Sequence, residues 1–275
     1  MFLITGATGN VGSALVGTLA EAGLPARALV RRREAAHPDG VEAVLGDLNR
    51  PESLDEAFAG VDAMFLLPGY AGMPEMLARA RSAGVRHVVL LSGGSAALED
   101  LTNAISRYMT LSERAVRDSG LTWTMLRPRA FMSNALRWLP QLREGDVVRV
   151  PFPNVRVACV APEDIAAVAA RALSGGGHEG RIYDLTGPQS LLPADQVAVL
   201  ADAIGRELRC VGLSDDEARA EMEQGTPAEY VDAFFSFYGD GTLDESQVFP
   251  DVEKVTGRPP RSFGEWAALH ADDFR

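Results

Sequence analysis

The sequence predicts a doubly wound α/β fold: a parallel sheet covered by helices on both faces, with a smaller α+β lobe at the C-terminal end. Three observations point there. Over the first 130 residues, short apolar segments alternate with amphipathic ones, the pattern of β-α units feeding a parallel sheet. A glycine-spaced turn follows the first strand at once and opens a helix. Beyond residue 130 the alternation loosens into shorter, unevenly spaced segments. The expected division is a sheet lobe over 1–130 and a lobe over 131–275 that completes the sheet and covers its cleft.

Strands are expected at Phe2–Thr5, Ala26–Val30, Glu42–Leu45, Ala63–Leu67, His87–Leu91 and Thr122–Leu126, apolar runs of strand length. Helices at Val11–Ala22, Pro51–Phe58, Pro74–Ala83 and Asn103–Ser119 alternate with them. Gly23, Gly84 and Gly120 stand just past helical segments, where a left-handed residue ends the helix. Asn49 is expected to cap Pro51–Phe58, with Pro51 in the first turn where its missing N–H costs nothing. The second lobe reads as a helix Ala130–Arg143, then strands Val147–Val150 and Val155–Val160 about a turn at 151–154. An alanine-rich helix opens at Pro162 and breaks at Gly175; a strand Arg181–Leu185 and helices near Ala194–Ile204, Asp215–Gln224 and Ala228–Phe237 follow.

Composition removes several classes of function. With 26 basic against 38 acidic residues the formal charge is -12, which disfavours nucleic acid and anionic membrane surfaces, since both need a basic footprint. The longest apolar runs are short and end at Pro68 and Ser92, so they read as buried strands rather than spans. Cys159 and Cys210 are too few for a disulfide scaffold or a metal cluster. The chain opens on a strand without a basic leader, so a cytoplasmic protein is expected. Lys254 is the only lysine, and any mechanism that needs an ammonium must use it.

The glycine turn carries the first chemistry. Gly6 permits a tight turn, Gly9 lets backbone approach a pyrophosphate, and Gly12 allows close helix–strand packing, with Thr8, Asn10 and Val11 between them. The N-terminus of the following helix offers free N–H groups and positive dipole to phosphates. NAD sites place an acid after the second strand, whereas here Arg31, Arg32 and Arg33 follow Val30. Guanidinium groups there pair with an adenosine 2′-phosphate, which favours NADP(H), led by Arg31; NAD(H) stays open, and so does a merely solvated basic cluster.

Thr5-Gly-Ala-Thr-Gly-Asn-Val-Gly resembles the opening of the short-chain dehydrogenase/reductase superfamily, in particular its atypical NmrA-like branch. The resemblance continues at Gly46-Asp47-Leu48, through Leu121–Asn134 and at Ala161–Ala169, spanning roughly residues 1–190. It implies an NAD(P)-binding Rossmann lobe in which Asp47 and Leu48 meet the adenine end. By the same resemblance, Leu67, Pro68, Ser92 and Gly93 line the ribose and nicotinamide ends. Proteins of this kind include quinone reductases, redox sensors that bind a dinucleotide without turning it over, and tailoring proteins of aromatic polyketide pathways.

The usual acid of the superfamily, a tyrosine with a lysine one turn on, is missing. Its nearest imitation is Tyr108 with Ser112 at i+4 and Ser95 upstream, where a serine carries no charge to activate the phenol. Aligning Glu113 with the branch's glutamate puts Met109 where an ionisable residue would stand. None of the histidines sits in a catalytic or metal-ligand pattern, and no metal is expected. Tyr70 and Met73 after the fourth strand, Phe131, Asn134 and Trp138 after the sixth, and Phe235 in an aromatic C-terminal helix form the expected substrate set. Such side chains suit a planar ring compound. The expected function is an NAD(P)H-dependent oxidoreductase acting on a quinone or related aromatic compound. A polyketide-tailoring component working with an oxygenase and a non-catalytic sensor are the alternatives, and a homodimer or protein partner stays open.

Overall fold

The computed structural model describes residues 1–32 and 41–274. Its strands are β1 (Phe2–Ile4), β2 (Ala26–Val30), β3 (Glu42–Leu45), β4 (Ala63–Leu66), β5 (His87–Leu91), β6 (Thr122–Pro128), β7 (Val147–Val150), β8 (Arg181–Leu185) and β9 (Arg209–Gly212). The α-helices are α1 (Asn10–Glu21), α2 (Asp55–Phe58), α3 (Met73–Ser82), α4 (Ala104–Asp118), α5 (Leu139–Glu144) and α6 (Pro162–Ser174). They continue with α7 (Pro193–Ile204), α8 (Asp215–Met222), α9 (Ala228–Phe234), α10 (Asp251–Thr256) and α11 (Phe263–Leu269).

A seven-stranded sheet runs in the order β3-β2-β1-β4-β5-β6-β8, parallel at every pairing. The chain winds outward from β1 to β3, then returns to lay β4 against the other side of β1. This reversal opens a crevice at the carboxyl ends of the strands, the usual ligand site of a doubly wound sheet. Side chains alternate across the sheet as the pleat requires. Ile4, Val30, Phe65, Val89 and Leu126 pack on one face with Leu15 and Val16 of α1 and Ile165 and Val168 of α6. Leu3, Leu29, Met64, Leu66, Val88 and Met125 pack on the other with Met76 and Leu77 of α3 and Val116 of α4. A third core joins Phe263 and Trp266 of α11 to Met132, Val148 and Val150.

Gly23, Gly84 and Gly120 are left-handed, as their positions past helices require. Elsewhere the expectations need correction. Asn49 does not cap a helix: Arg50 holds the cap position without a side-chain bond, and Asn49 instead donates to Asp47 Oδ1 at 3.1 Å. The helix after it begins as a 3-10 turn over Pro51–Leu54. Ala130–Arg143 is a 3-10 segment, Met132–Trp138, followed by α5, with Pro140 in the first turn where proline fits.

Val155–Val160 is no strand. Val157 N–H bonds the Leu191 carbonyl, Ala158 N–H that of Glu245, and Val160 N–H that of Ala130. Its donors serve separate segments, so no ladder propagates. The true partner of β7 is β9, a short strand with exposed or half-buried residues and little apolar signal. The last aromatic helix stops at Phe234 and continues as a π-turn over Phe235–Gly239. Among the described residues no helix is long and apolar enough to cross a membrane.

Candidate functional site

The turn between β1 and α1 separates the glycines by role. Gly6 has φ 63°, and a Cβ there would press Leu67 Cδ1 at 2.5 Å; a Cβ on Gly12 would overlap the Gly6 carbonyl oxygen. Both are demanded by the protein itself. Gly9 is different: its φ of -90° suits any residue, and a Cβ would meet only the Gly6 oxygen at 3.4 Å. Gly9 caps α1 without a side-chain bond, and the first turn has no acid, so the N–H groups of the helix N-terminus have no side-chain cap. That is the cradle a pyrophosphate needs, and the residues present fit a dinucleotide. Buried Thr5 accepts the Leu67 N–H at 3.0 Å, joining β1 to the end of β4. Asn10 Nδ2 donates to Ser133 Oγ at 3.1 Å, tying the turn to the 3-10 segment after β6; Val11 is buried in the core.

A cavity of about 200 Å³ lies on the β2–β3 side, lined by Thr8, Val30, Arg31, Asp47, Leu48 and Leu67. The Asn49 backbone N–H, 2.9 Å from Asp47 Oδ1, holds that carboxyl below its usual range against desolvation, with help from the Asn49 side chain and the Arg31 charge. Arg31 lines the cavity and is exposed, Arg32 is exposed beside it in sequence, and Arg33 lies outside the described residues. Tyr70, expected at the substrate end, also lines this cavity, and burial pushes its phenol up against the opposing charge of Arg31.

A cavity of about 230 Å³ lies beyond β5 and β6, lined by Ser92, Gly93, Tyr108, Phe131 and Asn134, and closed by Phe234, Phe237 and Tyr238. Burial, then Tyr230, pushes the Tyr108 phenol up, so it stays protonated at neutral pH. Ser112 does not orient that phenol. Its hydroxyl donates to the Tyr108 carbonyl at 2.7 Å and accepts the Gly69 N–H at 2.9 Å, fastening α4 to the loop after β4. Met109 packs against Gly93. Behind it Ser92 donates to Glu113 Oε1 at 2.7 Å, and Arg127 forks onto both Glu113 oxygens at 2.8 and 2.7 Å.

Pro68 is half-buried after β4. Three expected substrate residues pack elsewhere. Met73 is 2% exposed in the core under the sheet, and Trp138 packs on the third core. Phe235 meets Phe152 at 5.0 Å between centroids and carries the Arg219 guanidinium at 4.4 Å. Neighbouring positions on a helix point about 100° apart, so the cleft takes Phe234, Phe237 and Tyr238 and leaves Phe235 outside.

The cavity also holds Glu245 and Arg129, which the sequence did not announce. Tyr238 donates to Glu245 Oε2 at 2.6 Å; burial pushes both groups up. Arg129 stands beside them, its side chain 9% exposed. None carries a local motif, because Glu245 arrives from a loop far along the chain. The described histidines serve the scaffold: His87 bonds Thr122 and Thr124, His178 bonds Tyr183, and His270 bonds Asp273 and Glu163. His37 lies outside the described residues. Burial pushes the Cys159 thiol up to about 12, which leaves it unreactive. Among the described residues no cluster of His, Cys, Asp and Glu could hold a metal ion.

Residues 6–175 match the NAD(P)H-binding family. The chain is similar to a (4-alkanoyl-5-oxo-2,5-dihydrofuran-3-yl)methyl phosphate reductase of Streptomyces griseus, 44% identical over 280 residues that cover 100% of this chain and 99% of the relative. An NAD(P)H azoreductase of Xenophilus azovorans is 38% identical, with 100% and 99% covered. Among solved structures, an NADPH-dependent quinone oxidoreductase from Escherichia coli superposes with a TM-score of 0.81 at 25% identity, covering 98% of this chain and 99% of that one.

Proposed function

The chain belongs to the NAD(P)H-binding family and is an NAD(P)H-dependent oxidoreductase, and from that premise we propose that it reduces a small planar acceptor, a quinone or related conjugated ring compound, in the cavity beyond β5 and β6. The observation that supports the reading is the glycine turn that opens α1 without a side-chain cap, in a fold that carries one cavity at Asp47 and an aromatic one at Phe131. The names of the relatives share a chemistry: azo compounds, quinones and an acylated dihydrofuranone all offer an electron-poor double bond in a conjugated plane.

NAD(P)H, when bound, supplies the hydride. Gly6, Gly9 and the N-terminus of α1 would hold its pyrophosphate, and Asp47 and Leu48 would meet the adenine. Phe131, Phe234 and Phe237 would stack on the acceptor and exclude water, while Asn134 offers an amide to a ring oxygen. A reduced quinone oxygen can take its proton from solvent, so positioning outweighs acid strength. Tyr108→Phe is therefore expected to keep kcat within about tenfold on a quinone, short of the 10²–10⁴-fold loss of an essential acid. A larger fall with NADPH affinity unchanged would make Tyr108 the proton donor.

Arg31 should select the adenosine 2′-phosphate. Arg31→Ala is expected to weaken NADPH roughly tenfold or more, the scale of a lost charged hydrogen bond, with little change for NADH. Equal losses in a calorimetric titration of the two cofactors would overturn that assignment. The whole reading is tested by NADPH oxidation across a panel of quinones, azo compounds and unsaturated lactones. Binding of NADPH with no oxidation by any member would refute it.

A further inference from the structure

Among the described residues, Glu245 is the only carboxylic acid in the wall of the aromatic cavity, and reduction of a quinone leaves it without a task. It is 7% exposed and fastened at two points. Its carbonyl accepts the Ala158 N–H at 2.7 Å, and Oε2 accepts the Tyr238 hydroxyl at 2.6 Å. The Tyr238 ring is held in turn: it stacks on Phe234 at 6.2 Å and meets Phe237 at 6.3 Å and Phe152 at 5.3 Å between centroids. Oε1 is different. It accepts no hydrogen bond among the described residues, yet it is not one of the unpartnered polar atoms sealed from solvent, so it keeps surface in the cavity that Glu245 lines.

Burial pushes the Glu245 carboxyl up, Tyr238 and the Arg129 charge pull it back, and Asp244 adds to the rise. The Cys159 thiol faces both members of the pair, and Arg137 faces Tyr238. The result is an acid that keeps its proton to higher pH than an ordinary glutamate, with Oε2 bonded and Oε1 left to carry that proton into the cavity. We propose that Glu245 is the proton donor for acceptors whose reduced atom is a nitrogen or carbon, and that Tyr238 positions it. In an azo compound, one nitrogen receives hydride from NAD(P)H, which is oxidised to NAD(P)⁺, and the π pair of the N=N bond moves to the other nitrogen. That nitrogen takes the proton from Oε1: the O–H bond breaks, an N–H bond forms, and the hydrazine leaves neutral. Glu245 remains as a carboxylate, favoured by the Tyr238 hydroxyl and the Arg129 charge, until solvent returns the proton. A quinol oxygen can wait for water because its anion is a weak base; a hydrazine nitrogen anion cannot. The inference rests on the reductase reading, because it concerns the acceptor reduced there.

The test compares a set of azobenzene dyes with the quinone menadione in the wild type, Glu245→Gln and Tyr238→Phe. In the wild type, kcat on the azo compounds should fall as pH rises through the raised Glu245 value, since only the protonated acid donates. Glu245→Gln keeps the volume and can still accept from Tyr238, but it has no acidic proton. The ratio of azo to quinone kcat should therefore drop by about 10²–10⁴-fold, the loss of an essential general acid. Tyr238→Phe removes a donor that favours the carboxylate, so the falling limb should move to higher pH, a shift that a merely structural role would not give. An unchanged ratio in Glu245→Gln, a limb that stays in place in Tyr238→Phe, or reduction of menadione with no azo dye reduced overturns the proposal. So does a wild-type azo profile without a falling limb, a measurement that needs no variant to fold. A turnover-free arm separates the two readings. Infrared titration of the NADP⁺-loaded protein should show a protonated carboxyl that outlasts ordinary ones as pH rises and is missing from Glu245→Gln. The variant isolates that band from Asp164 and Asp184, which burial also pushes up. The band without NADPH oxidation by any acceptor would sink the reductase reading alone; acceptor turnover without the band would sink the Glu245 assignment alone.

Discussion

Gly9→Val is expected to abolish dinucleotide binding, raising the NADPH dissociation constant at least about a hundredfold, while the protein still folds. The separation follows from geometry. Gly9 has an ordinary backbone conformation, and a Cβ would touch only the Gly6 oxygen at 3.4 Å, so the fold does not need the missing side chain. A branched group there would stand in the path of a pyrophosphate approaching the free N–H groups of α1. Gly12→Ala is the contrasting case. Its Cβ would overlap the Gly6 carbonyl, so helix and strand must move apart and stability should fall with binding. Calorimetric titration beside thermal unfolding distinguishes them. A Gly9→Val protein with wild-type melting and wild-type affinity would remove the basis for placing the cofactor at this turn.

The second large effect concerns the charge cluster behind the aromatic cavity. Glu113 is 1% exposed and accepts from Ser92, Arg117 and Arg127. Burial pushes its carboxyl up, but the bonds from Arg127 and Ser92 and the charges of Arg127 and Arg117 outweigh it and hold the group below its usual range. Glu113→Gln keeps the volume and strands the Arg127 guanidinium, which should cost about 3–5 kcal/mol. For a domain of this size that lowers the unfolding midpoint by roughly 6–20 °C. Because the folded value is depressed, the Glu113 contribution is complete above the unfolded carboxylate value and fades as pH falls through the folded one. The gap between wild type and variant should therefore narrow in acid. A gap that widens in acid, or a midpoint shift below about 2 °C, would mean the cluster contributes little.

Local signals placed the sheet and the glycine turn. Strands β1 to β6 are apolar runs that need only their own composition to be recognised, and Gly6, Gly9 and Gly12 declare a strand–turn–helix by their spacing. Asp47 and Arg31 line one cavity because a parallel sheet brings its carboxyl ends together whatever their side chains. Facing and partnership were another matter. Nothing near Met73 or Trp138 says that they turn into cores, and Phe234 and Phe235 differ only by a helical step. Val155–Val160 has strand composition but gives its donors to different segments, while β9 lacks that composition and pairs because β7 offers an edge. Arg129 is one arginine of many until Gly94, Asp184 and Phe249 close around it, and Glu245 reaches the cavity from beyond the last aromatic helix. These contacts join residues far apart in the chain, and their energies depend on burial and angle, which no local window contains.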